Sequence, residues 1–186
     1  MRFTIRVMIL SIFLAGSLTS AQDIKPPSPY LDRGACPFEC CTYRRWTVEA
    51  NTVIYKERTT TSGVAFRVKK GERVNGVTGV VITVKPGKVI VKKPQTIGQD
   101  RKVHVKAGDI LYVLHYEGEG FSKIWFRGKI YSDEIPPLPG PDNKPSTDFQ
   151  IVSKADAVWW VQVKNSLGQI GWTKQTDHFG NMDACG

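Results

Sequence analysis

The sequence of 186 residues has little of what marks an enzyme or a membrane protein. It contains three histidines, no Cys-x-x-Cys pair, no serine in a nucleophile-elbow context and no glycine loop that opens a helix to cradle phosphate. His104 and His115 fall within predicted strands, and the Asp177-His178 pair stands in a short tail. No segment keeps a helical hydrophobic period. We therefore predict no catalytic residues and no cofactor.

Long apolar runs are also missing, apart from one at the N-terminus. Arg2 and Arg6 precede an apolar stretch over residues 7–15, which is far shorter than the roughly 20 residues of a membrane span. Thr19 and Ala21 supply small residues at positions −3 and −1 of a cleavage site. The pattern predicts a signal peptide over residues 1–21, a secreted or periplasmic protein, and no transmembrane segment after cleavage.

The charge of the chain is positive but dispersed. There are 26 lysines and arginines against 17 acidic residues, for a formal net charge of +9. Removing the leader takes away Arg2 and Arg6, which leaves the mature chain basic. The lysines are scattered along alternating segments, as on solvated strand faces, and form no basic block. A net positive charge favours contact with anionic envelope polymers, phospholipid head groups or nucleic acid, but this dispersed pattern favours simple solubility as its explanation, and we expect no nucleic-acid partner.

The four cysteines are Cys36, Cys40, Cys41 and Cys185. Four cysteines allow three complete pairings, and one of these would join the neighbours Cys40 and Cys41 in a strained ring. Both remaining pairings connect Cys185 to Cys40 or Cys41. The alternative is a zinc site that includes His178, but structural zinc usually takes two pairs of ligands at short spacing. We therefore predict two structural disulfides and no metal.

The remaining pattern is that of an all-β protein. Short segments rich in valine and threonine alternate with turns that contain glycine or proline. Five prolines between Ile135 and Ser146 exclude a central strand there and indicate an inserted loop. The predicted parts are a signal peptide (1–21), an N-terminal arm with the cysteine cluster (22–44), a degenerate β-module (45–98), a β-module (99–175) with a proline-rich insertion (135–147), and a C-terminal tail tied back by a disulfide (176–186).

A weak internal repeat supports two related modules. The segment Val68-Lys69-Lys70-Gly71-Glu72-Arg73-Val74 matches Val105-Lys106-Ala107-Gly108-Asp109-Ile110-Leu111 in character at each position. In both, a strand ends, glycine permits a sharp turn, and an acidic residue precedes the next apolar strand. Chance is the alternative, since such turns are common in β-proteins.

The second copy continues with motifs that resemble a known family. Gly108-Asp109 begins a strand, Trp160-Val161-Gln162-Val163 follows later, and the chain then reads Gly168-Gln169-Ile170-Gly171-Trp172. This order resembles the bacterial Src-homology-3-like extracytoplasmic modules. The resemblance implies one or two small barrels that bind cell-wall peptides or protein ligands. The sequence departs from the family where the proline-rich stretch separates the Trp-x-Val strand from the preceding hairpin.

Aromatic residues are the candidate binding residues. Adjacent Trp159 and Trp160 must point to opposite faces of a strand, so one fills the core and the other is exposed or covered by a loop. The proline-rich segment is a candidate cover. The predicted ligand-binding residues are Trp159, Trp160, Trp125, Tyr112, Tyr116 and Trp172.

These features predict a non-catalytic binding or scaffold module. The expected partner is a cell-envelope peptide, glycan or protein, because an exposed indole beside a groove is a common anchor for such ligands. The alternative function is a small disulfide-stabilised envelope hydrolase or an inhibitor of one.

Overall fold

The computed structural model describes residues 23–135 and 146–185. The predicted signal peptide and most of the proline-rich insertion lie outside the described residues. The all-β prediction is confirmed: the described residues form antiparallel strands and one 3-10 turn, η1 (Thr176–His178). The strands are β1 (Tyr30–Arg33), β2 (Arg45–Val48), β3 (Thr52–Tyr55), β4 (Val64–Val68), β5 (Arg73–Lys85), β6 (Gly87–Val91), β7 (Gln95–Ile97), β8 (Val103–Val105), β9 (Ile110–Gly118), β10 (Phe121–Phe126), β11 (Lys129–Asp133), β12 (Phe149–Ser153), β13 (Asp156–Lys164), β14 (Ile170–Thr173) and β15 (Phe179–Gly180).

The first sheet is assembled from the two ends of the described chain. Its strand order is β15-β2-β5-β13-β14-β3-β4, and β1 pairs with β5 beyond the end of β2. The long strand β5 pairs with β13 along most of its length, from Asn75 opposite Lys164 to Lys85 opposite Asp156. The alternating burial of β2 and β3 turns their apolar side chains towards one core, in which Trp46 and Ile54 are fully buried.

The second sheet comes from the middle of the chain. Its order is β11-β10-β9-β6-β12, and the hairpin of β7 and β8 stands beside it. Strands β6 and β10 alternate strictly between buried and half-buried residues. Their inward side chains meet Leu111 and Phe149 in a second core. This sheet is therefore inserted between β5 and β13 of the first one.

The strand pairing explains why the proline-rich stretch separates the Trp-x-Val strand from the preceding hairpin. The Trp-x-Val segment is β13 and Gly-x-x-Gly-Trp leads into β14, and both strands join the first sheet rather than the second. The first core accordingly contains Val161 and Val163. The predicted boundary between 45–98 and 99–175 does not separate the two cores, because strands on either side of it are paired. A sequence-based division into consecutive modules could not reveal this long-range pairing.

The repeated turn has the same backbone geometry in both places. Gly71 has a φ of +90° and Gly108 a φ of +88°, a region that glycine adopts at little cost. The Gly71 N–H donates to the carbonyl of Val48 at 2.8 Å, and the Gly108 N–H donates to the carbonyl of Val91 at 2.9 Å. Each turn is thus hydrogen-bonded to the last residue of a strand in its own sheet, Val48 of β2 or Val91 of β6.

The acidic residue of the repeat has the same role in both turns. The backbone N–H of Lys69 donates to Glu72 Oε2 at 3.1 Å, and that of Lys106 donates to Asp109 Oδ2 at 2.8 Å. In each turn the carboxylate accepts a hydrogen bond from the backbone N–H of the residue three positions earlier in the chain, as polar side chains commonly do in tight turns. The matched contacts indicate that the sequence repeat is a structural one.

Two disulfides fasten the N-terminal segment and the tail. Cys36 bonds to Cys41, and Cys40 bonds to Cys185, with Cα–Cα separations of 5.4 and 5.7 Å. The predicted connection of Cys185 to Cys40 or Cys41 is confirmed, and Cys40 is the partner. The tail also forms a bridge with the cysteine segment, in which Cys41 pairs with Asp183. Because the sulfurs of Cys40 and Cys185 are bonded to each other, they offer no thiolate to zinc.

Within residues 23–135 and 146–185 there is no helix with the length and apolar character that a membrane span requires.

We predict that the long-range disulfide stabilises the fold more than the local one. The Cys40–Cys185 bond spans 145 positions and the Cys36–Cys41 bond spans five. In the chain-entropy account, replacing Cys40 and Cys185 by serine should lower the free energy of unfolding by about 4 to 5 kcal/mol, against about 2 for the other pair. Urea unfolding of both double variants measures this. Equal losses would contradict the prediction.

Candidate functional site

The adjacent tryptophans of β13 have different environments, as their positions predict. Trp160 is buried, whereas Trp159 is half-buried on the side that also carries Val161 of the first core. The Trp159 indole N–H donates to the carbonyl of Ala35 at 3.2 Å, and its ring meets Phe38 edge-on with centroids 5.8 Å apart. The cysteine segment thus contacts Trp159. Residues 136–145, the predicted cover, lie outside the described residues.

The other predicted aromatic residues lie in three separate places. Tyr112 and Trp125 face each other across β9 and β10. The guanidinium of Arg58 lies over the Trp172 ring, 5.3 Å from its centroid. Tyr116 is exposed and lies close to Trp159 at the rim of one cavity. The six residues therefore do not form one patch, and only Trp159 and Tyr116 share a cavity.

This cavity lies at the junction of the two sheets and has a volume of about 380 Å³. The first sheet contributes Val81 and Trp159, and the second contributes Val89 and Val113. The connection between β12 and β13 forms the remaining side. The other residues that line the cavity are Pro37, His115, Tyr116, Ser122, Ile151, Ser153, Lys154, Ala155 and Ala157.

Most polar groups of the cavity wall already have partners. Ser153 Oγ accepts a hydrogen bond from the Lys88 N–H at 3.1 Å, and the Tyr116 hydroxyl accepts one from the Gly120 N–H at 3.0 Å. Ser122 is the exception, because its buried hydroxyl has no partner among the described residues. The wall is therefore mainly aliphatic and aromatic, and its single unpaired hydroxyl is suited to a ligand with few polar groups.

A cluster of charged side chains lies next to the cavity, and its member His115 also lines the cavity wall. Asp32 Oδ2 lies 2.7 Å from His115 Nε2 and 2.6 Å from Lys123 Nζ. Lys123 also lies 3.2 Å from Glu117 Oε1. Asp32 belongs to β1 of the first sheet, whereas His115, Lys123 and Glu117 belong to β9 and β10 of the second. The cluster therefore joins the two sheets directly beside the cavity.

The protonation of the cluster follows from its geometry. His115 is buried, and its Nδ1 lies 2.7 Å from the carbonyl oxygen of Tyr116, so both ring nitrogens face acceptors. Burial alone would raise the pKa of Asp32, but the hydrogen bonds from His115 and Lys123 outweigh it and lower that pKa below its usual value. Burial alone would lower the pKa of Lys123, but the contacts with Asp32 and Glu117 outweigh burial and raise that pKa above its usual value.

A glycine permits the close packing behind the cavity wall. A Cβ added at Gly79 would collide with the hydroxyl of Tyr43 and the indole nitrogen of Trp159, and would lie 2.8 Å from the carbonyl oxygen of Ala35. Tyr43 and Trp159 both donate to that same carbonyl. Burial raises the pKa of Tyr43 to about 12, so its hydroxyl keeps the proton that it donates. Ala35 is thus fixed against β5 and β13.

Sequence reasoning did not identify several residues of this site. Asp32 and His115 are 83 positions apart, and only the pairing of β1 with β5 brings them together. Pro37 and Phe38 lie within the cysteine cluster, which the sequence marks as structural rather than as part of a cavity wall. Strand β9 does not alternate between buried and exposed residues, so its sequence indicated neither the burial of His115 nor its partner.

Comparison with protein-family models, with curated proteins and with solved structures finds no match for this chain.

We predict that Asp32 makes the stability of the protein sensitive to acid. Because its pKa is lowered in the folded state, its contribution is present above the unfolded pKa of about 3.9 and is lost as the pH falls through the folded value. Asp32→Asn should lower the free energy of unfolding at pH 7, and the difference from the original protein should shrink below pH 4. Urea unfolding at both pH values tests this, with the exposed Asp156→Asn as the matched control. A difference that does not change with pH would contradict it.

We predict that Gly79→Ala separates the cysteine segment from β13. The added methyl group should displace Tyr43 or Trp159 and destabilise the protein by about 1 to 3 kcal/mol. Near-ultraviolet circular dichroism should also show a change in the tryptophan signal. Val77→Ala, at an exposed position of the same strand, is the control and should leave that signal intact. An unchanged signal in Gly79→Ala would show that the contact is not constrained.

Proposed function

We propose that this chain is a secreted or periplasmic, non-catalytic binding protein of the cell envelope, built from two Src-homology-3-like modules. The observation that carries the proposal is the apolar cavity at the junction of the two sheets, with Trp159 on its wall. Its extracytoplasmic location is supported by the two disulfides, since such bonds persist in oxidising compartments. The matched turns at Gly71 and Gly108 support two related modules.

The wall chemistry favours a peptide over a glycan. A sugar ring carries several hydroxyls that would lose their hydration in the cavity and would need partners there. Tyr116 and Ser153 already have hydrogen bonds, and His115 has used both ring nitrogens. An apolar side chain of a cell-wall or protein peptide needs no such partners. Lys154, exposed at the rim, would favour a carboxylate on the same ligand.

We expect the protein to be retained on purified peptidoglycan and to lose retention when the cavity is filled. Ala157→Trp places a large ring among the lining residues and should weaken retention at least tenfold, a difference of about 1.4 kcal/mol. Sedimentation of the mature protein with peptidoglycan sacculi at increasing concentration measures this. Val152→Trp is the matched control, because Val152 is half-exposed and is not among the lining residues.

Three outcomes would contradict the proposal. The first is no retention of the original protein on peptidoglycan. The second is equal retention of Ala157→Trp and Val152→Trp, which would place the binding surface outside the cavity. The third is turnover of the peptidoglycan that His178→Ala abolishes, which would make the protein an enzyme.

A further inference from the structure

Tyr112 and Trp125 form an aromatic pair on the outer face of the second sheet. They are directly opposite each other across β9 and β10, so their rings are neighbours on one face. The adjacent residues Leu111 and Ile124 are fully buried in the second core on the other face. The pair therefore lies outside the second core, although Tyr112 is itself buried, with 8% of its surface exposed.

The N-terminal arm lies on this pair. The Trp125 indole N–H donates to the carbonyl of Ile24 at 2.7 Å, and the Tyr112 hydroxyl donates to Asp23 Oδ2 at 2.7 Å. Pro26, two residues later, is buried. Both polar atoms of the aromatic pair are thus engaged by one extended segment. The surface has the chemistry of a peptide-binding site and already holds a peptide.

The contacts define which segment this surface recognises. Trp125 contacts a backbone carbonyl, which any residue supplies, and the side chain of Ile24 remains half-exposed. Tyr112 contacts a carboxylate, which only an acidic residue supplies. Burial and the Asp23 carboxylate raise the pKa of Tyr112 to about 12, so the hydroxyl remains a donor. Acidity at one position and a buried proline three positions later are the selective features.

The arm can leave this surface without unfolding the protein. Residues 23–25 are exposed and Pro26 is the one buried residue of the segment, whose described polar contacts with the sheet are the two hydrogen bonds from Tyr112 and Trp125. From Tyr30 onwards the chain is fixed by the pairing of β1 with β5. Short exposed terminal segments of this kind open at low free energy. The surface can therefore exchange its own arm for another segment.

We propose that the Tyr112–Trp125 surface is a second binding site, for an extended segment of a partner protein that carries an acidic residue and, three positions later, a proline. Residues 23–26 occupy this site within the same chain. The site is separate from the inter-sheet cavity, so it goes beyond the function proposed above. Because the arm is tethered, it competes at an effective concentration of about millimolar. A partner therefore binds when its segment fits better or when the arm is displaced.

The test uses the mature chain and a labelled peptide with the sequence of residues 23–30. Asp23→Ala combined with Pro26→Gly weakens the arm and leaves the surface intact. We expect this double variant to bind the peptide at least about tenfold more tightly than the original protein, as measured by fluorescence anisotropy. Adding Trp125→Phe, which removes the indole N–H, or Tyr112→Phe, which removes the hydroxyl, should abolish the gain. Trp172→Phe is the matched control and should leave it unchanged.

Several results would overturn the proposal. Peptide binding no tighter in the double variant than in the original protein would mean that the arm does not occupy a binding site. Equal binding of a peptide with alanine in place of its acidic residue and fourth-position proline would remove the selectivity. A concentration-dependent dimer of the original protein that Asp23→Ala abolishes would assign the surface to the arm of a second copy. Retention on peptidoglycan reports on the cavity and is independent of all three.

Discussion

The pairing of β5 with β13 is the constraint on which the rest of the structure depends. It joins Arg73–Lys85 to Asp156–Lys164 across the whole inserted second sheet. Closing so long a loop has an entropic cost, which the apolar contacts of the first core and the Cys40–Cys185 bond offset. Without this pairing the first sheet would be divided between β5 and β13, and Val161 and Val163 would be separated from the part of the core that β2 and β5 supply.

The same pairing creates the cavity. Strand β5 ends at Lys85 and β6 begins at Gly87, so the chain passes from one sheet to the other with almost no linker. It returns through the short connection between β12 and β13, and the two connections lie side by side: a Cβ at Gly87 would stand 2.8 Å from the Ala155 nitrogen. Two sheets joined so closely cannot pack their apolar faces fully together at that point. The ion cluster of Asp32, His115 and Lys123 then fixes the sheets at the width that leaves the cavity open.

Local patterns in the sequence predicted the parts of this fold that depend on neighbouring residues. Alternation identified the strands, the repeated glycine and acidic residue identified two equivalent turns, and exclusion of the Cys40–Cys41 ring left Cys185 bound to the cysteine cluster. The sequence did not predict which distant strands pair, because nothing in the residues of β13 identifies β5 as its neighbour. For the same reason the residues of the predicted aromatic site are dispersed, because Trp159 and Trp125 lie in different sheets. Strand alternation places Trp159 and Trp160 on opposite faces, but only the neighbouring strands determine that Trp160 is the buried one.

The cysteine segment connects the redox state of the protein to its cavity. The loop closed by the Cys36–Cys41 bond contains Pro37 and Phe38 and is preceded by Ala35. Pro37 lines the cavity, and Phe38 packs edge-on against Trp159. The carbonyl of Ala35 accepts hydrogen bonds from Tyr43 and Trp159. A loop of this length has too few apolar contacts to keep one conformation by itself, so the two bonds supply the rigidity. The disulfides therefore also position the Trp159 indole on the cavity wall, and we expect that reducing them would displace it.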